Sequence, residues 1–453
     1  MQGTQMNELW SPNSWRSKPL AQAIAYPDHL ALKEALTSLS GLPPLVTSWE
    51  IETLKSQLAE AACGKRFILQ GGDCAESFRD CRSDIIVRKL KILLKMSIIL
   101  IYGSKKQVTR IGRMAGQYAK PRSAEMETRD GVTLPSYRGD LINCNAFTRK
   151  DRALDPMLLV RGHEHAALTL NFIRSLVQGG FADFRHPELW DVDFFDYAVR
   201  KNDYRHFMDS ICDSIHFMEA VAGRSLTELN HVEFFTSHEG LHLDYEQAQT
   251  KQVPRRTGWY NLNTHLPWIG NRTRDLGGAH VEYFRGIRNP IGVKVGPTMS
   301  PKELLALTEI LNPDNEPGRL MLIHRFGSNQ IEDYLPPLVE TILRHDRKVL
   351  WCCDPMHGNT VSTKSGLKTR AFGDILSEIT QAFDIHDRLG SILGGMHFEL
   401  TGENVTECVG GARGISENDL QRSYTSDVDP RLNYEQSLEM ALLISDRMAK
   451  VSD

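Results

Sequence analysis

Short apolar runs recur along this chain, and each stops at a charged or metal-competent residue. RFILQGGDCAE ends in Gly71-Gly72-Asp73-Cys74, where the glycines permit a tight turn. QVTRIGRMAGQYAKPRS ends in Arg113, Lys120, Arg122 and Ser123. HVEFFTSHEG (231–240) ends in His238 and Glu239, and THLPWIGNRTR (264–274) in Trp268, Arg272 and Arg274. PIGVKVGP (290–297) carries Lys294, and RLMLIHRFG (319–327) carries Arg325. VLWCC (349–353) breaks at Asp354-Pro355, because the residue before a proline is pushed out of the helical region, and His357 and Gly358 follow. GGMHFELTGENVTECVGG (394–411) carries Glu399. The brevity and apolarity of these runs predict buried strands.

Helical spacing fills much of the remainder. It predicts helices from about 51, over 84–102, through most of 130–230 with a loop near Pro135 to Asp140, and over 433–448. Eight strand–helix units with chemistry at one rim predict a (β/α)8 TIM barrel. A doubly wound open sheet is disfavoured, because it gathers its ligand groups at one switch point rather than on every strand. Residues 1–50, rich in Pro, Ser and Trp, read as an N-terminal arm that packs on the body or on a partner subunit, and 51–453 as the barrel. A helical pair is expected as an insertion at about 187–223. Its second half places Tyr204, Phe207, Met208, Ile211, Cys212, Ile215 and Met218 in one apolar stripe that needs a covering surface.

Composition narrows the function classes. A chain of 453 residues with 41% hydrophobic residues can bury a large core, and a net charge of −4 argues against a nucleic-acid partner. The most apolar stretch, Leu90 to Tyr102, is interrupted by Lys91 and Lys95 and is too short to span a bilayer. With no membrane or secretory signal visible, the eight cysteines are expected as reduced thiols in the cytoplasm.

Two chemical sets stand at the strand ends. The first is cationic: Arg113, Lys120, Arg122, Arg272, Lys294 and Arg325. Any one of these has an ordinary reading as a structural ion pair, but six together point to two or more anionic groups on a ligand. Lys294 lies inside an apolar strand and has a second reading as a Schiff-base lysine. The second set is Cys74, His357, Glu399 and Asp429, a mixed donor set for a borderline divalent ion. The bland readings are a small core residue, a turn, an ion pair and a helix cap respectively. Position at strand ends favours the metal for the first three.

Together the motifs GGDCAE, GQYAKPRS, SYRGD, SHEG, VKVGP, DPMHGNT, ELTGENVTECVGGA and DPRLN extend over nearly the full length. On them the chain resembles the type II 3-deoxy-D-arabino-heptulosonate 7-phosphate (DAHP) synthases, which open the shikimate pathway to aromatic amino acids. The resemblance implies a metal-dependent condensation of phosphoenolpyruvate with erythrose 4-phosphate and water, with Mn²⁺ or Co²⁺ as the ion. It implies Cys74, His357, Glu399 and Asp429 as metal ligands, and Arg113, Arg272, Lys294 and Arg325, with Trp268 and Asn271, at the phosphoenolpyruvate site. Lys120 would lie between the substrates, Arg122 and Ser123 at the erythrose 4-phosphate phosphate, and Glu239 facing the reacting centre. It also implies a homo-oligomer, and an aromatic amino acid effector acting through the 187–223 insertion. One departure is Asn271 in WIGNR, where the family pattern has Glu; the change is mild if that position acts through its backbone N–H, whereas a lost carboxylate that orients an arginine would weaken phosphoenolpyruvate binding. An amino-DAHP synthase of secondary metabolism shares these motifs, whereas a catalytically silent metabolite-binding barrel would be favoured by loss of a metal ligand, and all four are present.

Overall fold

The structure, a computed structural model, describes residues 10–179, 213 and 232–450. The strands are β1 (Arg66–Gly72), β2 (Gln107–Arg113), β3 (Phe235–Glu239), β4 (Leu266–Ile269), β5 (Ile291–Val295), β6 (Leu320–His324), β7 (Leu350–Cys353) and β8 (Leu393–Glu399). Each pairs in parallel with its sequence neighbours, and β1 pairs with β8, so the sheet closes. Closure removes the open-sheet alternative and delivers the expected eight-stranded barrel.

Alternation along the strands separates two packing layers, as a period of two requires. Ile68, Ile111, Phe235, Leu266, Met321, Ile323, Leu350 and Cys352 fill the interior together with Leu54, Leu58 and Ala61 of helix α2 (Ser48–Ala62). In β1, β5 and β8 the alternate residues Phe67, Leu69, Val293, Val295, Met396 and Phe398 belong instead to the cluster shared with the surrounding helices. Those helices include α3 (Ser83–Ser104), α5 (Leu243–Ala248), α6 (Ala279–Gly286), α7 (Pro301–Leu311), α8 (Ile331–Arg344), α9 (Phe372–Leu389) and α10 (Tyr434–Ala449), while α1 (His29–Gly41) and α4 (Met157–Gln178) pack into separate clusters. Local signals start several of them: Thr47 and Glu50 form a capping box for α2, and Ser300 caps α7 with Pro301 in its first turn. None of the described helices is long and apolar enough to cross a membrane.

The helical expectation over 130–230 needs correction. Met126–Arg129 and Val132–Pro135 form an antiparallel hairpin, and turns lead on to α4. Asp130 and Gly131 both have positive φ (48° and 78°), so the Asp-Gly pair builds the tight turn whose twist suits a hairpin. The helical pair expected at 187–223 lies outside the described residues, apart from Asp213.

The N-terminal arm contacts the barrel's own loops and helices. Trp10 Nε1 donates to the Glu282 carbonyl and Trp15 Nε1 to Gln247 Oε1, each at 2.9 Å. Gln22 Oε1 accepts from the Arg122 backbone N–H at 2.9 Å, and Arg138 donates to the carbonyls of Gln22 and Ala23. The arm thus steadies the loop that carries Lys120 and Arg122.

Candidate active site

Strand register sets the floor. Gly72 is level with both Arg113 and Glu399, and Gln70 is level with His397. The inward positions of β1, β2, β5 and β8 therefore change from apolar at the base to Gln70, Arg113, Lys294, His397 and Glu399 at the carboxyl ends, all of them buried. Above them one cavity is lined by Cys74, Arg113, Lys120, Glu239, Trp268, Asn271, Arg272, Lys294, Arg325, His357 and Asp429, with Gln117, Pro121 and Gly270.

The mixed donor set converges at the edge of this cavity. One ligand atom from each of Cys74, His357, Glu399 and Asp429 lies within 4.8 Å of every other. His357 Nε2 is 3.0 Å from Glu399 Oε1, and its Nδ1 is 2.7 Å from Asp354 Oδ2. That carboxylate orients the ring, a recurrent device for metal-ligating histidines. Asp354 Oδ1 also accepts the backbone N–H groups of Met356 and His357, so the turn after β7 is wrapped around one side chain.

Electrostatics keep the carboxylates ionised. Burial opposes the charge on Glu399, but His357, Arg370 and Arg113 hold its carboxyl well below the usual range. Asp429 is likewise held low against its burial, chiefly by Lys120, whose Nζ is 2.5 Å from Oδ2. Burial and the Glu399 charge push the Cys74 thiol up, with Lys120 Nζ 2.7 Å from Sγ pulling the other way. A thiol in that setting becomes a ligand when a cation replaces its proton. Two carboxylates, an oriented imidazole and a thiol so placed fit a borderline divalent ion.

The cations are more closely partnered than the sequence implied. Lys294 Nζ is 2.5 Å from Asp354 Oδ2, and Arg113 Nη2 is 3.1 Å from Glu399 Oε1. Burial lowers the Lys294 pKa, and Arg113 adds to this while Asp354 offsets it. Arg325 donates to the His357 carbonyl at 3.1 Å, and its Nε is buried without a partner. Arg272 is exposed at the rim, where its Nη2 donates to Ser123 Oγ at 2.8 Å.

The profile of the class-II DAHP synthetase family matches residues 10–445. The chain belongs to the class-II DAHP synthetase family. Similar curated proteins are each named phospho-2-dehydro-3-deoxyheptonate aldolase. The one from Neurospora crassa is 47% identical, with 96% of this chain and 94% of that protein covered. The one from Streptomyces coelicolor is 46% identical with 96% of each covered, and the one from Mycolicibacterium smegmatis 43% with 95% and 93% covered.

Within this class-II DAHP synthetase, the cavity gathers all the site residues that the resemblance implied except Arg122, Ser123 and Glu399. Glu399 belongs to the donor set, and Ser123 joins the rim through Arg272. Arg122 is half-buried and is tied to the arm through its backbone. Glu239 ends β3; burial pushes its carboxyl up, with Lys294 and His357 opposing, and Oε1 has no hydrogen-bond partner. At the departing position, Asn271 Oδ1 accepts from Arg274 Nε at 3.3 Å. The arginine oriented there is Arg274, which also pairs with Glu303, so the amide serves a cation behind the cavity.

Sequence reading overlooked several supporting residues. Gln70 and His397 were visible as polar residues at inward positions of apolar strands. Asp354 was visible only as a turn former. Arg370 had no signal: it is wholly buried, donates to the Pro430 carbonyl and to Thr360 Oγ1, and lies 2.8 Å from Glu399 Oε2. It thereby ties a strand-end ligand to the loop holding Asp429.

Proposed function

We propose that this protein is a DAHP synthase, condensing phosphoenolpyruvate with D-erythrose 4-phosphate and water to give DAHP and inorganic phosphate. C3 of phosphoenolpyruvate bonds to the aldehyde carbon, water adds at C2, and the phosphate leaves with C–O cleavage. The observation that carries this reading is the convergence of Cys74, His357, Glu399 and Asp429 beside a cavity walled by cations.

The residues divide the work by chemistry. Arg113, Lys294 and Arg325 on the floor, with Arg272 at the rim and Trp268 and Asn271 on the wall, bind phosphoenolpyruvate. Arg122 and Ser123 take the distant phosphate of erythrose 4-phosphate. Lys120 stands between the substrates and donates a proton to the aldehyde-derived oxygen. Glu239, facing the cavity with a free oxygen, takes the proton of the water that adds at C2. Holding two phosphorylated anions together supplies much of the rate through positioning and charge compensation. Cys74, His357, Glu399 and Asp429 would hold a divalent ion, Mn²⁺ or Co²⁺, which would supply Lewis-acid polarisation of the aldehyde.

The enzyme is read as a cytoplasmic homo-oligomer, with an aromatic amino acid effector acting through residues 187–223. Deleting 190–220 should then preserve catalysis and remove inhibition by Trp, Phe or Tyr; inhibition that survives the deletion would refute that role.

Phosphate release from phosphoenolpyruvate tests the reading. Release should require erythrose 4-phosphate, stop in chelator and return with Mn²⁺ or Co²⁺. Turnover only with an imine analogue of the sugar would make it an amino-DAHP synthase, and full activity in chelator would remove the metal.

A further inference from the structure

Beneath the floor of the cavity runs a hydrogen-bond chain whose direction can be read from its far end. The Gly112 carbonyl can only accept, and it takes the Ser237 hydroxyl proton at 3.1 Å. Ser237 Oγ then accepts from Gln70 Nε2 at 2.9 Å, which points Gln70 Oε1 at His397 Nδ1, 2.7 Å away. An amide oxygen only accepts, so the proton of His397 sits on Nδ1. His397 Nε2 is left with its lone pair, and two donors meet it: Arg113 Nη1 at 2.5 Å and Lys294 Nζ at 2.9 Å.

We propose that His397 is a positioning residue for phosphoenolpyruvate, its neutral Nε2 lone pair holding Arg113 and Lys294 side by side as one anion-binding pair. This rests on the reading of the cavity as the phosphoenolpyruvate site. Two like charges this close repel, and Asp354 and Glu399 each restrain only one of them. His397 is hydrogen-bonded to both cations, and the Trp268 ring, which both cations also face at 5.3 and 5.9 Å, stands perpendicular to it with centroids 5.6 Å apart. His397, Gln70 and Ser237 are fully buried and none lines the cavity, so their effect on a ligand must pass through the two cations.

The test compares substrates in the Mn²⁺-loaded enzyme. His397→Leu removes the acceptor and should weaken calorimetric binding of phosphoenolpyruvate about ten-fold or more, the scale of a lost charge-assisted hydrogen bond. The KM for erythrose 4-phosphate should move less than about two-fold. His397→Gln restores an acceptor oxygen and should recover most of the loss. Gln70→Leu, one bond further away, should give a smaller shift of the same kind, and it decides the matter if His397→Leu does not fold. Unchanged phosphoenolpyruvate binding in the folded variants would overturn the proposal. So would an equal rise in both KM values, or an equal loss in His397→Gln and His397→Leu, since each means His397 only supports the fold. A wild-type enzyme that fails to bind phosphoenolpyruvate would refute the functional reading itself, a separate result.

Discussion

Asp354 Oδ2 lies 2.7 Å from His357 Nδ1 and 2.5 Å from Lys294 Nζ, so one carboxylate oxygen serves both a candidate metal ligand and a cation of the floor. Asp354→Asn should therefore loosen the metal and the substrate together. Metal affinity, measured by titration of apo-protein with Mn²⁺, should fall about 10–100-fold, the usual effect of losing such a partner. Stability should fall by about 3 kcal/mol, because Lys294 is left buried without its counter-charge. Unchanged Mn²⁺ affinity would show that Asp354 serves only the lysine.

Gly270 leaves room for the Glu239 carboxylate, to which the proposed mechanism gives a proton transfer. A Cβ there would stand 1.9 Å from Glu239 Oε1, so Gly270→Ala must displace that side chain. Turnover should drop about 100-fold or more, the scale of losing a positioned proton-transfer group. Gly277→Ala is the control, since its Cβ would meet Asp275 Oδ1 at an ordinary 3.5 Å. Equal activity in the two variants would remove Glu239 from the mechanism.

Lys294 has a nucleophile's position but a cation's partners. Asp354 and His397 both accept hydrogen bonds from Nζ, so the amine is engaged as a donor to two fixed partners, although burial lowers its pKa. Borohydride added during turnover should leave the protein mass unchanged in intact mass spectrometry. A reduced adduct on Lys294 would place the enzyme among the Schiff-base aldolases.

Glu378 should make stability depend on pH. Burial raises its pKa from 4.5 to about 7, although it accepts hydrogen bonds from the Phe326 N–H and from Asn359 Nδ2. The folded state therefore keeps a proton that the unfolded state has lost, and ionisation is penalised only in the fold. The penalty is absent below about pH 4.5, grows as pH rises towards 7, and is complete above; it amounts to about 3 kcal/mol at most. Denaturant titrations of Glu378→Gln and wild type should differ in slope across that window, with the glutamine variant flatter. Parallel curves would mean that Glu378 ionises normally.

Local pattern alone determined the eight barrel strands, the placement of α3 and α10 and the rim on which chemistry gathers, because burial period and turn chemistry are properties of neighbouring residues. The same signals were available for the Asp130-Gly131 hairpin, where helical spacing was given too much weight over a turn pair flanked by alternating residues. Motif content likewise separated a donor set from a cationic set before any geometry was known. Only barrel closure decided who partners whom. Cys74 meets Asp429 across 355 positions of sequence, and Lys120 meets Asp429 across 309. Closure also buries Arg370 against Glu399 and turns the side chains of Gln70 and His397 inward at one level. Charge pairing depends on distances between strands, set by register and closure, and a one-dimensional period of two carries no information about either.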